Sequence, residues 1–319
     1  MNGDYTFTLT ESERSEVGLA AEVLTKTPPQ LVDTDAWVSA CRAMSCGIPQ
    51  RMCEGLREFR HDPGPDGVFL IRNLPVGAEY LPPTPMVAES VERQATVGAS
   101  VIVLMSLQLG EIVAFRNEKA GALVQNVVPV PGQEKQQSNA GSTPLEMHIE
   151  NAFHPNRPDY VALLCVRNDP GRQAALRLAS IRRAVVKLSP HTRTVLGEVR
   201  FLTELPPSFG SVAAGTPHAV LTGDFDDPDV RIDFNSSEPL DPEAREAVSH
   251  LRDSIESVAR PIHLEPGDLA FVDNRITLHG RSFFEPRYDG SDRWLHRTFI
   301  HLDHRRSRAM RPAGGHVID

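Results

Sequence analysis

The spacing of apolar positions divides the chain into a helical first part and a strand-rich second part. From about residue 10 to residue 60 apolar residues recur at helical intervals, and Thr10 with Glu13 has the pattern of a capping box. The apolar run at 68–75 follows a turn-rich stretch and predicts a short strand. Residues 87–109 are apolar on most sides, which predicts a long buried helix.

Beyond residue 123, short β-branched segments alternate with glycine and proline turns. This spacing predicts an all-β sandwich or barrel. Two longer segments, 175–200 and 241–258, have the pattern of helices inserted among the strands. The predicted strands are 123–130, 145–153, 159–167, 230–234, 268–274 and 293–302.

Composition narrows the class of protein. The 319 residues are 40% hydrophobic and carry a formal net charge of −9. Such a chain can bury a large core, and its acidity argues against binding nucleic acid through phosphates. No apolar run reaches the roughly 18 residues of a membrane helix, and the N-terminus lacks the apolar region of a secretory signal. The four cysteines form no CxxC pair, so we expect reduced thiols in the cytoplasm.

Metal-binding residue pairs are the strongest chemical signal in the sequence. On a strand, residues i and i+2 point to the same face, so His-x-Glu or His-x-Asp presents an imidazole beside a carboxylate. A distant histidine completes a two-histidine, one-carboxylate set that leaves three metal positions open, as in non-haem Fe(II) oxygenases. The chain contains three such pairs, His148–Glu150, His263–Glu265 and His301–Asp303.

Position favours the first of these pairs. The second runs directly into a Pro-Gly turn, and the third leaves few downstream residues for another ligand. His148 and Glu150 lie in a strand-like segment before a long β-rich region, in which His279 is the natural partner. We therefore predict that His148, Glu150 and His279 bind one metal ion. A zinc hydrolase would use the same donor types, but its usual H-E-x-x-H motif is absent.

Two arginines follow the predicted ligands. If the chain turns back antiparallel after His279, Arg293 reaches into the same barrel. A guanidinium in that place can bind the far carboxylate of a dicarboxylate such as 2-oxoglutarate in a bidentate manner. Arg297, four residues later, shares a strand face with Arg293, so both can point inward. The alternative is that Arg297 forms a salt bridge at the surface.

Long segments around these residues resemble one enzyme family. The segments 138–170, 264–299 and 305–313 are similar to the clavaminate-synthase-like Fe(II)/2-oxoglutarate oxygenases, and so are GPDG at 64–67 and LPPTP at 81–85. Within that family the chain most resembles the L-asparagine oxygenases of nonribosomal peptide pathways. Other members act on free arginine, citrulline, lysine or a β-lactam precursor.

The resemblance implies that His148, Glu150 and His279 bind Fe(II) and that Arg293 binds the distal carboxylate of 2-oxoglutarate. Dioxygen is then the other cosubstrate. One departure concerns Leu176, which stands where clavaminate synthase has a threonine that hydrogen-bonds 2-oxoglutarate. The sequence therefore assigns no second contact to this cosubstrate.

The resemblance also implies contacts to an amino-acid substrate. An aspartate suits a guanidinium or ureido group as well as an amide, so arginine, citrulline and lysine stay open as substrates, with hydroxylation at C3 or C4. The implied positions are Arg297 and Ser138 at the α-carboxylate, Gln125 and Glu150 near the α-amino group, Asn139 and Asp233 at the side chain, and Glu118 in a mobile lid.

The implied fold is mainly β with flanking helices, a double-stranded β-helix or jelly roll. We expect one domain over 1–319, with a largely helical region and a short strand at 1–120, the jelly-roll core with helical inserts at 121–304 and a surface tail at 305–319. The expected activity is hydroxylation of a free L-amino acid, L-asparagine, at C3, by a cytoplasmic enzyme with no nucleic-acid or membrane partner. The sequence leaves the oligomeric state open and is compatible with a monomer. A non-enzymatic, cupin-like binding module is the remote alternative.

Overall fold

The computed structural model describes residues 5–206, 209 and 216–319. Two facing β-sheets form its centre, and a layer of helices covers the outer face of each sheet. The helices are α1 (Glu11–Thr25), α2 (Asp35–Ser45), α3 (Gln50–His61), α4 (Val97–Ser106), α5 (Ile181–Ala184), α6 (Pro190–Leu196) and α7 (Pro242–Val258). The strands are β1 (Tyr5–Thr8), β2 (Val68–Arg72), β3 (Glu111–Phe115), β4 (Gln125–Val127), β5 (Leu145–His148), β6 (Tyr160–Arg167), β7 (Leu176–Ser180), β8 (Phe201–Thr203), β9 (Leu221–Gly223), β10 (Pro228–Val230), β11 (Ser237–Pro239), β12 (Arg260–Ile262), β13 (Leu269–Asp273), β14 (Thr277–Arg281), β15 (Trp294–His301) and β16 (Val317–Ile318).

The larger sheet has the strand order β1-β2-β13-β6-β15-β3-β16, and β4 also pairs with β15. Its central strand β6 is buried on both faces. Val161 and Leu163 face the second sheet, whereas Ala162 and Leu164 face the helices α1–α4. This burial on both sides explains why the segment is a continuous apolar run without the polar alternation of a half-exposed strand.

The smaller sheet has the order β12-β7-β14-β5. Leu176 and Leu178 of β7 face the larger sheet, whereas Ala179 of β7 and Leu278 of β14 pack against the helices α5–α7. Because side chains alternate along a strand, the residues on either side of Leu278 point into the space between the sheets. The mainly β fold with flanking helices agrees with the sequence prediction.

The first three helices follow the predicted pattern. The hydroxyl of Thr10 accepts a hydrogen bond from the Glu13 backbone N–H, and the Glu13 carboxylate accepts one from the Thr10 backbone N–H at 2.8 Å. Trp37 of α2 is completely buried and donates to the Leu24 carbonyl oxygen at 3.2 Å. Within the described ranges, no helix combines the length and apolar character that crossing a membrane requires.

The predicted long helix at 87–109 is wrong in its extent, because α4 covers only its second half. Thr96 caps α4, its hydroxyl accepting a backbone hydrogen bond at 3.2 Å. The residues before it are extended, and the Glu92 backbone N–H donates to the Val124 carbonyl at 3.0 Å. Pairing with a distant segment therefore overrides the local apolar pattern.

The region 175–200 is also not a single helix. Its first residues form β7, which pairs with both β12 and β14, and the short helices α5 and α6 follow. The predicted strand at 230–234 is reduced to the end of β10 and an isolated bridge between His148 and Asp233. Both segments are completed by partners far away in the sequence, which a local pattern does not reveal.

The predicted surface tail at 305–319 is folded against the larger sheet. Its last strand, β16, pairs in parallel with β3, and Ile318 is only 1% exposed. The Arg311 guanidinium donates to the carbonyl oxygens of His304 and Gly315, which fixes the turns before β16. A two-residue strand is too short to produce a recognisable pattern in the sequence.

Candidate metal centre

A cavity of about 740 Å³ opens between the two sheets. Strands β5 and β14 of the smaller sheet form one wall, and residues before and within β15 form the opposite wall. The loops 117–120 and 133–140 lie at its rim. The cavity brings together segments that are more than a hundred residues apart in the chain.

His148, Glu150 and His279 meet in this cavity, with one possible ligand atom of each within 4.8 Å of the others. His148 ends β5 and is paired directly with His279 of β14, and their rings lie 4.4 Å apart. Glu150 follows β5, and its Oε2 lies 3.5 Å from Nε2 of His279. The spacing predicted this cluster, although Glu150 lies just beyond the strand and not within it.

Neighbouring groups hold these side chains in place. Nδ1 of His148 donates to the Glu146 carbonyl oxygen at 2.9 Å, which leaves Nε2 free to bind a metal. The side chain of Asn274 accepts from the Glu150 backbone N–H at 2.8 Å and donates to the Glu150 carbonyl at 3.1 Å. The sequence analysis did not identify Asn274, since an asparagine in a turn has no signal of its own.

The charges in the cluster also suit a metal ion. Burial raises the pKa of the Glu150 carboxyl, but the Arg297 guanidinium and His279 outweigh it, so this pKa lies below its ordinary value. Burial and the adjacent His148 lower the pKa of His279. The carboxylate is therefore ionised and the imidazole neutral, which are the forms that bind metals.

The donor set fits iron. Two imidazole nitrogens and one carboxylate oxygen form the facial arrangement of non-haem Fe(II) sites, which leaves three positions for other ligands. Among the described residues, no fourth histidine, cysteine, aspartate or glutamate joins the cluster. A closed structural zinc site would need such a fourth donor.

Arg293 and Arg297 both line the cavity with Leu295 between them, as alternation along a strand requires. Arg297 is 7% exposed and donates to Glu150 Oε1 at 2.9 Å. It also donates to Glu118 and to the side-chain oxygen of Gln125. Arg297 is therefore a buried cation at the metal cluster and not a surface salt-bridge residue.

Arg293 has no hydrogen bond or ion pair with any residue in the described ranges, although it is only 7% exposed. It also lines a narrow recess beside the cavity, with Leu176 and Asp169. The Asp169 carboxylate already accepts backbone hydrogen bonds at 2.7 and 3.1 Å. An unpaired buried guanidinium is costly, so the part of the main cavity that Arg293 lines is suited to an anion.

The other predicted contact residues are distributed around the same space. Ser138, Asn139, Glu118 and Asp233 line the cavity, whereas Gln125 is not part of the wall and lies behind Arg297. Asp233 forms the isolated bridge with His148 and precedes a turn, so it is not part of a continuous strand. Its carboxylate accepts from the Asn235 backbone N–H and the Ser236 hydroxyl, and it retains acceptor capacity for a ligand.

Gly280 allows β5 and β14 to approach closely. A Cβ at this position would lie 2.5 Å from the Leu145 carbonyl oxygen. We therefore expect Gly280→Ala to separate the strands that carry His148 and His279, lowering the free energy of unfolding by about 1–3 kcal/mol and weakening Fe(II) binding. Urea denaturation and metal titration measure both effects. Gly18→Ala, whose nearest neighbour would be at 3.8 Å, is the control. It should leave Fe(II) binding unchanged and should not lower the free energy of unfolding, because alanine favours the interior of helix α1.

Comparisons with known proteins identify the family of the chain. The family model described as "Taurine catabolism dioxygenase TauD, TfdA family" matches residues 66–299. An L-asparagine oxygenase from Streptomyces coelicolor is 48% identical over 96% of this chain and 93% of its own length. Clavaminate synthase 2 from Streptomyces clavuligerus is 32% identical over 91% of this chain and 90% of its own length.

Solved structures show that the fold of this chain is also similar to that of known oxygenases. Asparagine oxygenase in complex with Fe(II), 2S,3S-3-hydroxyasparagine and succinate superposes with a TM-score of 0.96 at 48% identity, covering 98% of this chain and 99% of that chain. The non-haem iron oxygenase OrfP in complex with Fe and α-ketoglutaric acid gives a TM-score of 0.89 at 27% identity over 98% and 100% of the two chains. The predicted double-stranded β-helix is thereby confirmed, and the chain belongs to the TauD/TfdA family of dioxygenases.

Proposed function

We propose that this protein is an Fe(II)- and 2-oxoglutarate-dependent hydroxylase that uses O2 to hydroxylate free L-asparagine at C3, in the biosynthesis of a specialised peptide. One observation carries the proposal: an unpaired buried arginine, Arg293, lies in the same cavity as a two-histidine, one-carboxylate cluster. The arginine suits the far carboxylate of a dicarboxylate, and the cluster suits an iron ion that keeps open coordination positions.

In this proposal His148, Glu150 and His279 hold Fe(II), and Arg293 pairs with the distal carboxylate of 2-oxoglutarate. The bound iron, 2-oxoglutarate and O2 together supply an oxidant that cleaves an unactivated C–H bond, with succinate and CO2 as co-products. The residues of the chain place the substrate carbon and exclude water, since the reactive chemistry belongs to the cofactor. Apolar side chains at Val127, Leu163 and Leu295 form part of the enclosing wall.

A free amino acid needs a cation for its α-carboxylate and an acceptor for its ammonium group. Arg297 supplies the cation, Ser138 lines the same cavity, and the carboxylates of Glu118 and Glu150 lie against Arg297. Gln125, which lies behind the Arg297 guanidinium, stays assigned to the α-amino end of the substrate. Substrate binding would replace part of the Arg297–Glu118 contact, so that each end of the zwitterion gains an opposite charge.

Backbone geometry supports the assignment of Glu118 to a lid. The three residues after it, Lys119, Ala120 and Gly121, have φ of 46°, 52° and 72°. Two non-glycine residues in the left-handed region in succession are strained, and such strain occurs where a loop is held for function. This strain marks the Glu118 segment as functional, and its movement as a lid is proposed from the resemblance.

The side chain of the substrate is assigned to Asn139 and Asp233. An amide needs a donor and an acceptor, because an unpaired polar group in a closed site costs about 1–3 kcal/mol. Asparagine is favoured because the 48% identical relative is an L-asparagine oxygenase. More distant relatives are an L-lysine 3-hydroxylase and an L-ornithine/L-arginine 3-hydroxylase, so these amino acids and citrulline are the alternatives.

The proposal is tested by measuring succinate release from 2-oxoglutarate with each of free asparagine, citrulline, arginine, lysine and glutamine. We expect release coupled to the gain of one oxygen atom, by mass spectrometry, with asparagine alone. Coupled release with another amino acid instead would assign that amino acid as the substrate. No Fe(II)-dependent release with any of the five would contradict the proposed function. We further propose that the enzyme is cytoplasmic. Its oligomeric state, for which a monomer is the simplest possibility, is measured by light scattering of the purified protein.

A further inference from the structure

The cavity contains a second buried guanidinium, that of Arg281. It stands two positions after His279 on β14, so both side chains point between the sheets while Leu278 points to the helices. Arg281 is 3% exposed and lines the same cavity as the metal cluster and Arg293. The function proposed above gives this cation no task.

The partners of Arg281 leave its charge uncompensated. One of its terminal nitrogens donates to the Thr143 carbonyl at 3.0 Å, and the guanidinium lies 5.2 Å from the centre of the Phe284 ring. Its Nε has no hydrogen-bond partner, and no carboxylate of the described residues forms an ion pair with it. Burial and the nearby Arg293 lower the pKa of Arg281 to about 9.

Leu176 connects the two cations. It is the direct cross-strand neighbour of Arg281 in the β7–β14 pair, where side chains on one face lie about 5 Å apart. The same Leu176 side chain lines the recess that contains Arg293. The two guanidinium groups therefore border one apolar side chain that has no hydrogen-bond donor of its own.

We propose that Arg281 is a second binding residue for the distal carboxylate of 2-oxoglutarate, acting beside Arg293 at the position that Leu176 leaves without a donor. The inference rests on the proposed function. Two buried cations without a protein counter-charge are unfavourable, and one carboxylate with two oxygens can accept hydrogen bonds from both. Arg281 then selects 2-oxoglutarate over 2-oxo acids that end in an alkyl group.

The test measures binding and does not depend on turnover. The anaerobic Fe(II) enzyme is titrated with 2-oxoglutarate and, separately, with 2-oxopentanoate, which has the same chelating end but no distal carboxylate. The visible charge-transfer band reports both complexes. We expect Arg281→Met to weaken 2-oxoglutarate binding about 10- to 100-fold, as for other hydrogen bonds to charged groups. The affinity for 2-oxopentanoate should stay unchanged.

Equal weakening for both oxo acids would overturn the proposal, because Arg281 would then only support the Thr143 segment. Unchanged 2-oxoglutarate binding would also overturn it. Arg193→Met is the matched control, since Arg193 packs over the Phe225 ring and donates to the Leu188 carbonyl, outside the cavity. It should leave both affinities as in the wild type.

A second variant separates the contact from a folding defect. Leu176→Thr restores a hydroxyl at the cross-strand position, and in the Arg281→Met background it should recover part of the lost 2-oxoglutarate affinity. No recovery would contradict the idea that both positions serve one subsite. If the wild-type enzyme itself does not bind 2-oxoglutarate, the proposed function fails as a whole. If only Arg293→Met weakens binding, the role of Arg281 alone is refuted.

Discussion

Replacing Arg293 by methionine is expected to weaken 2-oxoglutarate binding by roughly 30-fold to several thousand-fold. Losing one partner of a buried, hydrogen-bonded charge pair costs about 2–5 kcal/mol, and each 1.4 kcal/mol is a factor of ten in affinity. The expected loss is large because no described residue forms an ion pair or hydrogen bond with this guanidinium, so the cosubstrate would be its direct partner. Anaerobic titration of the Fe(II) enzyme measures the change.

Arg167→Met is the control for this variant. Arg167 is the last residue of β6 and pairs with Trp294, the first residue of β15. Its guanidinium lies 5.9 Å from the Trp294 ring and donates to the carbonyl oxygens of Gly290 and Pro82. It does not line the cavity. Comparable weakening in Arg167→Met would indicate that the strand end, and not the Arg293 charge, determines cosubstrate affinity.

Replacing His279 by alanine is expected to abolish Fe(II)-dependent succinate formation. Only two of the three ligands would remain, and the loss of Fe(II) affinity should exceed the roughly 10- to 100-fold seen when a partner of a metal ligand is removed. Glu150→Ala should have the same effect on iron and should also leave Arg297 without its 2.9 Å contact. Iron content after dialysis and succinate release measure the two effects.

His154→Asn serves as the control among the histidines. His154 is buried near the cavity, but its ring accepts a backbone hydrogen bond from Asn156 at 3.0 Å and it is not part of the metal cluster. The asparagine oxygen can accept the same bond, so iron content should stay at the wild-type value. Fe(II)-dependent turnover that survives in His279→Ala would show that the metal ligands are assigned incorrectly.

The sequence predicts those parts of the fold that have a local cause. Helices α1–α3 have amphipathic spacing, and threonines cap α1 and α2. Strands β6 and β13 are apolar because they are buried on both faces. The extended segment before α4 and the strand β7 are determined by pairing with distant segments. Local periodicity gives no information on such pairing, and so helices were predicted at both places.

In the candidate site, too, some features have a local cause in the sequence and others depend on residues far apart in the chain. The structure brings His148, Glu150 and His279 together, and their spacing on strands predicts this arrangement, whereas iron binding by these residues stays a prediction. The contact between Glu118 and Arg297 joins residues 179 positions apart, and no motif indicates it. Arg281 does have a signal in the sequence, since its spacing of two residues from His279 places both side chains on one strand face.

The docking of β16 has a consequence for the segment that carries Glu118. The Arg116 backbone N–H donates to the Ile318 carbonyl at 2.8 Å, and Glu118 follows only two residues later. Residues 317–318 thus brace the base of the loop that is proposed to cover the substrate. Removing β16 would therefore loosen the support of this loop.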